Sequence, residues 1–450
     1  MADIPLLRAQ GPDAVFAYRQ GTAITVRAFL RDTSNLAALL PSRQHVLNLC
    51  RDRYRFTVAF AAALLKRQIT LLPPNYTPEL VRQLKERHAD VYCVVDTADD
   101  SPVAVETVHF ADIQADGNPG LEFNAVPQVP AAQTAAYLFT SGSTGQPVPH
   151  RKTWGGLVKS GVAELERLQF DPDSAAAIVG TVPPQHMYGL ESTVLIAMHG
   201  GLAIVAERPF YPADIRTALE ALPRPRALVT TPVHLRALLC ESTPLPALDR
   251  LICATAPLSP QLAAEGEARF RAPLQEIYGC TEAGQVATRR PVESVEWRTF
   301  QGLRLRQDEK GTWVAGGHVE TEVLLNDVVE LRDSERFLLH GRNADLVNIA
   351  GKRTSLAYLN CHLNSIEGVR DGVFIMPEDE SPSAVPRLMA FAVAPGISAE
   401  SILDALRQRI DAAFLPRPLT LVEALPRNST GKLPRDAMTA LVNELVANEP

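Results

Sequence analysis

Six consecutive residues, Thr140, Ser141, Gly142, Ser143, Thr144 and Gly145, carry a hydroxyl or no side chain, and they follow the apolar run Tyr137-Leu138-Phe139. Glycines let a backbone approach an anion closely, while N–H groups and hydroxyls donate hydrogen bonds to phosphate oxygens. A strand ending in such a loop can cradle phosphate; a flexible polar turn is the plainer reading of the same residues. It is not the GxxxxGK[ST] loop, because no Lys follows the second glycine. His150, Arg151 and Lys152 come shortly afterwards and can supply cationic charge. Further stretches combine reactive side chains with turn residues: Tyr278-Gly279-Cys280-Thr281-Glu282-Ala283-Gly284, Asp327 before a β-compatible run, and Pro426 to Arg435, which contains Lys432. Taken singly, these read equally well as a capping turn, a turn aspartate and an exposed lysine. His186 and His234 singly read as packed or surface histidines.

The elements that must position these residues follow from alternating apolar runs and amphipathic segments. From His45 to Asp96, HVLNLC, ITLLPP and VYCVVD read as strands, with RFTVAFAAALLKRQ and TPELVRQLKERHAD as helices between them. Thr77, followed by Pro78 and Glu79, has the form of an N-cap with proline and an acid in the first turn. A second series, AAAIVGTV, GLAIVA and RALVTT with PADIRTALEAL and PVHLRALL, runs from Ala175 to Leu251. Strand–helix–strand repeats of this length imply right-handed crossovers and parallel sheets. The fold class expected is α/β: a large N-terminal domain of packed sheets with flanking helices. The Pro-rich stretch from Pro127 to Ala132 is expected to be an exposed connection. After Arg342 a new pattern (DLVNIAG, AVPRLMAFAVAP, SAESILDALRQRIDAAF, PLTLVEALP) reads as a small α+β domain of about one hundred residues.

Thr140 to Pro147, TSGSTGQP, resembles the phosphate-loop signature of the adenylate-forming superfamily, which includes acyl-CoA synthetases, aryl-acid ligases, luciferases and adenylation domains. Further segments resemble the family's motifs in the family's order. Ala254-Thr255-Ala256-Pro257-Leu258-Ser259 is similar to its GGAPLS loop, with Ala and Thr in place of both glycines. The YGCTEAG stretch matches YGxTE, and Asp327 and Arg342 have the spacing of the TGD aspartate and GRxxD arginine, although TGD is here LND. Pro426 to Arg435 matches PRxxxGKxxR. The resemblance implies that Thr140 to Gly145, Ala256, Pro257, Tyr278, Gly279, Thr281, Asp327 and Arg342 bind nucleotide. It also implies that Thr281 meets the α-phosphate, that Glu282 holds Mg²⁺ and that Lys432 stabilises charge as a carboxylate attacks phosphorus. His186, His234, Ala254 and Gly279 would line the acyl pocket, with His186 at its mouth. The family usually has Lys or Arg directly after the loop proline; this chain has Val148. Relatives generally carry Asp or Lys at the hinge; this chain has Ala344.

The domains implied are 1–341 for nucleotide and acid, a hinge at 342–345, and a mobile domain at 346–450 carrying Lys432. The reaction implied joins acid and MgATP into an acyl-adenylate and pyrophosphate. Rotation of the small domain then brings Gly351 and Lys352 towards the site, and a thiol of CoA or of a carrier protein's phosphopantetheine takes the acyl group. The compact chain with its short N-terminal region resembles small bacterial ligases that load hydroxybenzoate-type starters onto acyl carrier proteins in aryl-polyene or xanthomonadin-like pathways. A fatty acyl-CoA synthetase and a catalytically silent nucleotide- or acyl-binding homologue stay open as alternatives.

Bulk properties agree with a multidomain enzyme. The chain has 450 residues, 46% hydrophobic and 21% charged, which is ordinary globular composition. A net charge of −7 argues against a general nucleic-acid binder. Six scattered cysteines without a CxxC pair read as buried free thiols in a reducing compartment. The start, MADIPLLRAQGPDAV, lacks a basic segment followed by an apolar run, and no apolar stretch is long enough to span a membrane. A cytoplasmic location is expected.

Overall fold

The computed structural model describes residues 2–8, 11–74, 76–97, 105–110, 126–141, 147–170, 176–342, 346–349, 352–376, 388–428 and 431–447. The first strand–helix series builds a six-stranded sheet. Its spatial order is Pro147–Thr153, Thr134–Ser141, Ile69–Leu72, His45–Asn48, Tyr92–Val95, Thr107–His109. All neighbours are parallel except the Thr134–Ser141/Pro147–Thr153 hairpin, which carries the hydroxyl-rich loop.

The second series forms the centre of an eleven-stranded sheet. Ala203–Val205, Ala177–Gly180, Arg226–Thr230, Arg250–Ala254 and Leu274–Cys280 lie side by side and parallel. Antiparallel strands Gly284–Arg289, Trp297–Thr299, Arg336–Arg342 and Asp327–Leu331 extend it on one side. These parallel strands are almost wholly apolar because helices cover both faces.

Helix Arg53–Leu65 shows why the two sheets form one body. It is apolar nearly all round, and every residue from Phe56 to Leu64 is buried, the pattern of a helix enclosed on all sides. Arg53 at its start is fully buried, and its guanidinium donates to the carbonyls of Gly180, Val182, Val205 and Glu207. Those carbonyls lie at or just beyond the C-terminal ends of two parallel strands, so the buried charge ties the helix to the large sheet.

Thr77 caps helix Pro78–Arg87 as expected, accepting from the Leu80 N–H. Two expectations need correction. The Pro-rich stretch is not simply an exposed connection: Gln128–Pro130 pairs antiparallel with Asp3–Pro5, and Val129 is buried. A two-stranded edge tolerates proline because the missing N–H can face away from its partner. The cysteines are all free, but only Cys50, Cys93 and Cys253 are buried; Cys240 and Cys361 are exposed and Cys280 is half-buried. In the C-terminal part, helix Ala399–Arg407 is shorter than its apolar pattern, because the Asp411 side chain accepts from the Ala413 N–H and starts a separate short turn. A three-stranded sheet of Asp371–Ile375, Met389–Val393 and Leu419–Leu421 completes that region.

Candidate active site

Four neighbouring parallel strands, Ala177–Gly180, Arg226–Thr230, Arg250–Ala254 and Leu274–Cys280, are each followed by a threonine: Thr181, Thr231, Thr255 and Thr281. Parallel α/β sheets bind ligands at the carboxyl ends of their strands, so this row marks the floor of a site. Thr281 and Glu282 are half-buried on the turn between Leu274–Cys280 and Gly284–Arg289. Gly279 is required there, since a Cβ would sit 2.5 Å from the Gly284 carbonyl oxygen. Ala254 is buried at the end of its strand, Ala256 is half-buried and Pro257 exposed. Thr255 has a φ of 85°; a β-branched residue in the left-handed region stores strain, which often accumulates at functional loops.

Tyr278 gathers one side of the site. Its hydroxyl donates to Asp327 Oδ2 at 2.7 Å, and its ring meets Trp297 and Phe337 edge-on. Asp327 and Arg342, fifteen positions apart in sequence, are direct partners across two antiparallel strands. At the loop hairpin, Thr140 Oγ1 lies 2.9 Å from His150 Nε2, and Lys152 Nζ donates to the Glu282 carbonyl at 2.7 Å.

The other side is built around His234. It is buried, with Nδ1 2.9 Å from Thr231 Oγ1 and 3.4 Å from Thr181 Oγ1, and Phe210 lies edge-on at 5.1 Å. Tyr188 donates to the Thr230 and Ile252 carbonyls. Burial, followed by the nearby Arg208, pushes the His234 pKa down to about 4. His186 opens the short helix Met187–Gly189, and burial, then Lys432 and Arg208, pushes its pKa to about 4. Both imidazoles are neutral near pH 7. Sequence reasoning singled out neither Thr181, Thr231, Tyr188, Arg208 nor Phe210 as site residues, although a threonine after each apolar strand was a visible signal.

Lys432 arrives from the C-terminal part. Asn428 Oδ1 accepts from the Lys432 N–H, and Arg427 donates to the Gly431 carbonyl. Gly431 is buried against the large sheet's side: a Cβ there would be 3.3 Å from Val233 and 3.5 Å from Thr231 Oγ1. Lys432 is exposed and lies within electrostatic reach of His186. Gly142, Ser143, Thr144, Gly145, Ala344 and Gly351 lie outside the described residues, and Ser141, Arg342 and Lys352 are described by their strand positions.

No three His, Cys, Asp or Glu side chains cluster as a metal site among the described residues. A single half-buried carboxylate such as Glu282 still suits Mg²⁺, which keeps waters and shares its remaining positions with phosphate oxygens. A cavity of about 360 Å³ lined by Arg19, Arg31, Arg55, Tyr54 and Phe110, among others, shares no residue with this site. No helix among the described residues is long and apolar enough to cross a membrane.

The two-sheet α/β body is that of the adenylate-forming class. The chain belongs to the AMP-binding enzyme family, whose profile matches residues 8–313. It is 24% identical over 389 residues to a 2-succinylbenzoate–CoA ligase of Staphylococcus epidermidis, covering 79% of each chain. It is 27% identical over 307 residues to a 4-coumarate–CoA ligase of Rhodobacter capsulatus, covering 67% of this chain and 75% of the relative. Its fold matches that of o-succinylbenzoate CoA synthetase from Bacillus subtilis in complex with an acyl-adenylate intermediate, with a TM-score of 0.80 and 19% identity over 97% of this chain and 98% of the other.

Proposed function

We propose that this chain is an AMP-forming acid–thiol ligase acting on a small aromatic, hydroxybenzoate-like acid. The observation that carries the reading is the seating of the Gly431–Lys432 turn on Thr231 and Val233, which brings a lysine beside the neutral His186. In this reading the acid enters between His186, His234 and the strand end at Ala254, while the nucleotide lies along Tyr278, Asp327 and Arg342. A carboxylate oxygen attacks the α-phosphorus of ATP, the bond to the β-phosphate breaks, and pyrophosphate leaves. Lys432 and Thr281 hold the charge that grows on the α-phosphate oxygens. Mg²⁺, carried in with ATP and held by Glu282, would neutralise the phosphates. A thiol then attacks the acyl carbon and AMP leaves. The neutral imidazoles can donate a hydrogen bond without adding charge beside Lys432.

An aromatic acid is favoured over a fatty acid by the lining. Thr181, Thr230, Thr231, His234 and Tyr188 form a polar floor that can exchange hydrogen bonds with a ring hydroxyl, which an alkyl chain lacks. Phe210, 46% exposed against His234, offers an aromatic wall. The relatives named for succinylbenzoate and coumarate support the same class. The acceptor is CoA or the phosphopantetheine of a carrier protein. Acid-dependent pyrophosphate release from MgATP across benzoates, cinnamates and fatty acids, with hydroxylamine as acceptor, tests the reading. A benzoate preference supports it; a fatty-acid preference replaces the substrate class. Silence with nucleotide binding intact would favour a non-catalytic homologue, which Val148 and Ala344 would then mark.

A further inference from the structure

We propose that Lys152 is the positioning residue of the Thr281–Glu282 turn, supplying from beneath that turn the cationic support that the phosphate loop lacks at Val148. The inference rests on the reading of Glu282 as the carboxylate that serves MgATP. Side chains alternate along strand Pro147–Thr153, so Val148, His150 and Lys152 share one face. Val148, beside the loop, is 44% exposed and apolar. Two pleats further, roughly 13 Å along the strand, Lys152 Nζ donates to the Glu282 carbonyl at 2.7 Å. Its neighbours are Glu191, Cys280, Glu282 and Glu320. The cation has therefore moved from the loop to the underside of the turn that carries Thr281 and Glu282.

The same turn is held at its other end. Glu191 Oε1 accepts from the Gln285 N–H at 3.3 Å and from Ser160 Oγ at 2.5 Å, and Gln285 Nε2 donates to the Ser160 carbonyl at 2.8 Å. Gly284, with φ of 82°, has no room for a side chain, since a Cβ would lie 2.7 Å from Glu191 Oε1. Lys152 and Glu191 thus grip positions 282 and 285 from two different elements. An apolar side chain at 152 would avoid the desolvation of an ammonium, so its place under the turn calls for a compensating role. Without it the Glu282 carbonyl loses its donor and the carboxylate is free to swing. Lys152 meets the turn at Glu282, so in this reading the larger loss falls on nucleotides whose metal needs that carboxylate, while AMP keeps its places along Tyr278 and Asp327 and calls on the turn only through Thr281.

The test is nucleotide binding by titration calorimetry on the full chain, without acid, comparing metal-free AMP with MgATP. In Lys152→Met, AMP affinity should stay within about twofold while MgATP affinity falls about 10- to 100-fold, as for lost supports of metal-binding groups. Lys152→Arg, which keeps the charge, should recover most of that loss. MgATP affinity unchanged in a Lys152→Met variant that binds AMP would overturn the proposal. So would an equal loss for both nucleotides, which marks a general fold defect. If Lys152→Met does not fold, Lys152→Gln is judged by the same comparison. A wild-type chain that binds neither nucleotide would remove the functional reading itself, and this inference with it.

Discussion

Single side chains carry opposite burdens in this site. Lys432 is an exposed residue on a turn gripped by Asn428 and Arg427, and the role proposed for it is delivery of charge rather than stability. Lys432→Ala should lower acid-dependent pyrophosphate release by about 100-fold or more and leave thiolysis of a supplied acyl-adenylate unchanged. Equal loss in both half-reactions would remove the assigned role. Thr255 is the reverse case, a strained residue with no proposed bond to substrate. Replacing it by glycine relieves a left-handed β-branched residue at the cost of some chain entropy. Thr255→Gly should therefore raise unfolding stability by up to about 1 kcal/mol, read as a higher thermal midpoint. A lower midpoint would mean that the side chain's contacts outweigh the strain.

At the scale of elements, the secondary structures around the turn bury titratable groups of both kinds. Helix Trp154–Leu168 carries Glu164, fully buried beside Ser192 and Gln285 without a complete hydrogen bond to either, and burial pushes its pKa up to about 8. The π-helical segment Leu190–Leu195, a form common at functional sites, carries Glu191, pushed by burial up to about 7. His186, His199, His234 and His318 are pushed by burial down to about 4. Below pH 6.5 the unfolded chain binds protons that these folded histidines refuse, so their contribution is lost as pH falls towards 4. The two acids act in the other direction: the folded chain keeps protons that the unfolded chain releases above about 4.5, and that contribution is lost as pH rises through 7 to 8. Within this set, four histidines outweigh two acids below 6.5, and the two acids act above it. Stability should therefore peak near pH 6.5, measurable as the thermal midpoint against pH. Glu164→Gln should flatten the alkaline decline, and an unaltered decline would exclude Glu164 as its source.

At the scale of the whole molecule, one carboxylate joins the two parts of the chain. Asp371 receives two hydrogen bonds from Arg427, at 2.6 and 2.8 Å, and a third from Arg236 at 3.2 Å. Arg427 belongs to the turn that carries Lys432, whereas Arg236 lies on helix Pro232–Leu239, beside the large sheet. All three side chains are about one-fifth exposed or less, so the link is shielded from solvent more than a surface pair. The proposed rotation of the C-terminal part would break the Arg236 bond and keep the Arg427 pair. Arg236→Ala should slow the pyrophosphate-releasing half-reaction about two- to tenfold, the worth of a partly buried pair, with little effect on thiolysis. A larger effect on thiolysis would show that the link serves the other arrangement.

Local pattern was enough for much of this protein. Parallel strands and the Thr77 cap were legible because each depends on neighbours close in sequence, and the motifs around Tyr278, Thr281, Glu282 and Lys432 could be picked out for the same reason. The spacing of Asp327 and Arg342 was legible too, but only their facing register across two strands explains it. The edge strand at Gln128–Pro130 was missed because its partner, Asp3–Pro5, lies more than one hundred positions away. The polar floor of Thr181, Thr231 and His234, the buried Arg53 and the Asp371 link were invisible for the same reason. Lys152 was seen as one of three spare cations, and only the hydrogen bond from its ammonium to the Glu282 carbonyl separates it from the other two. Residue types and short spacings determine which chemistry is available; long-range packing decides which of those groups meet, and how much water is left around them.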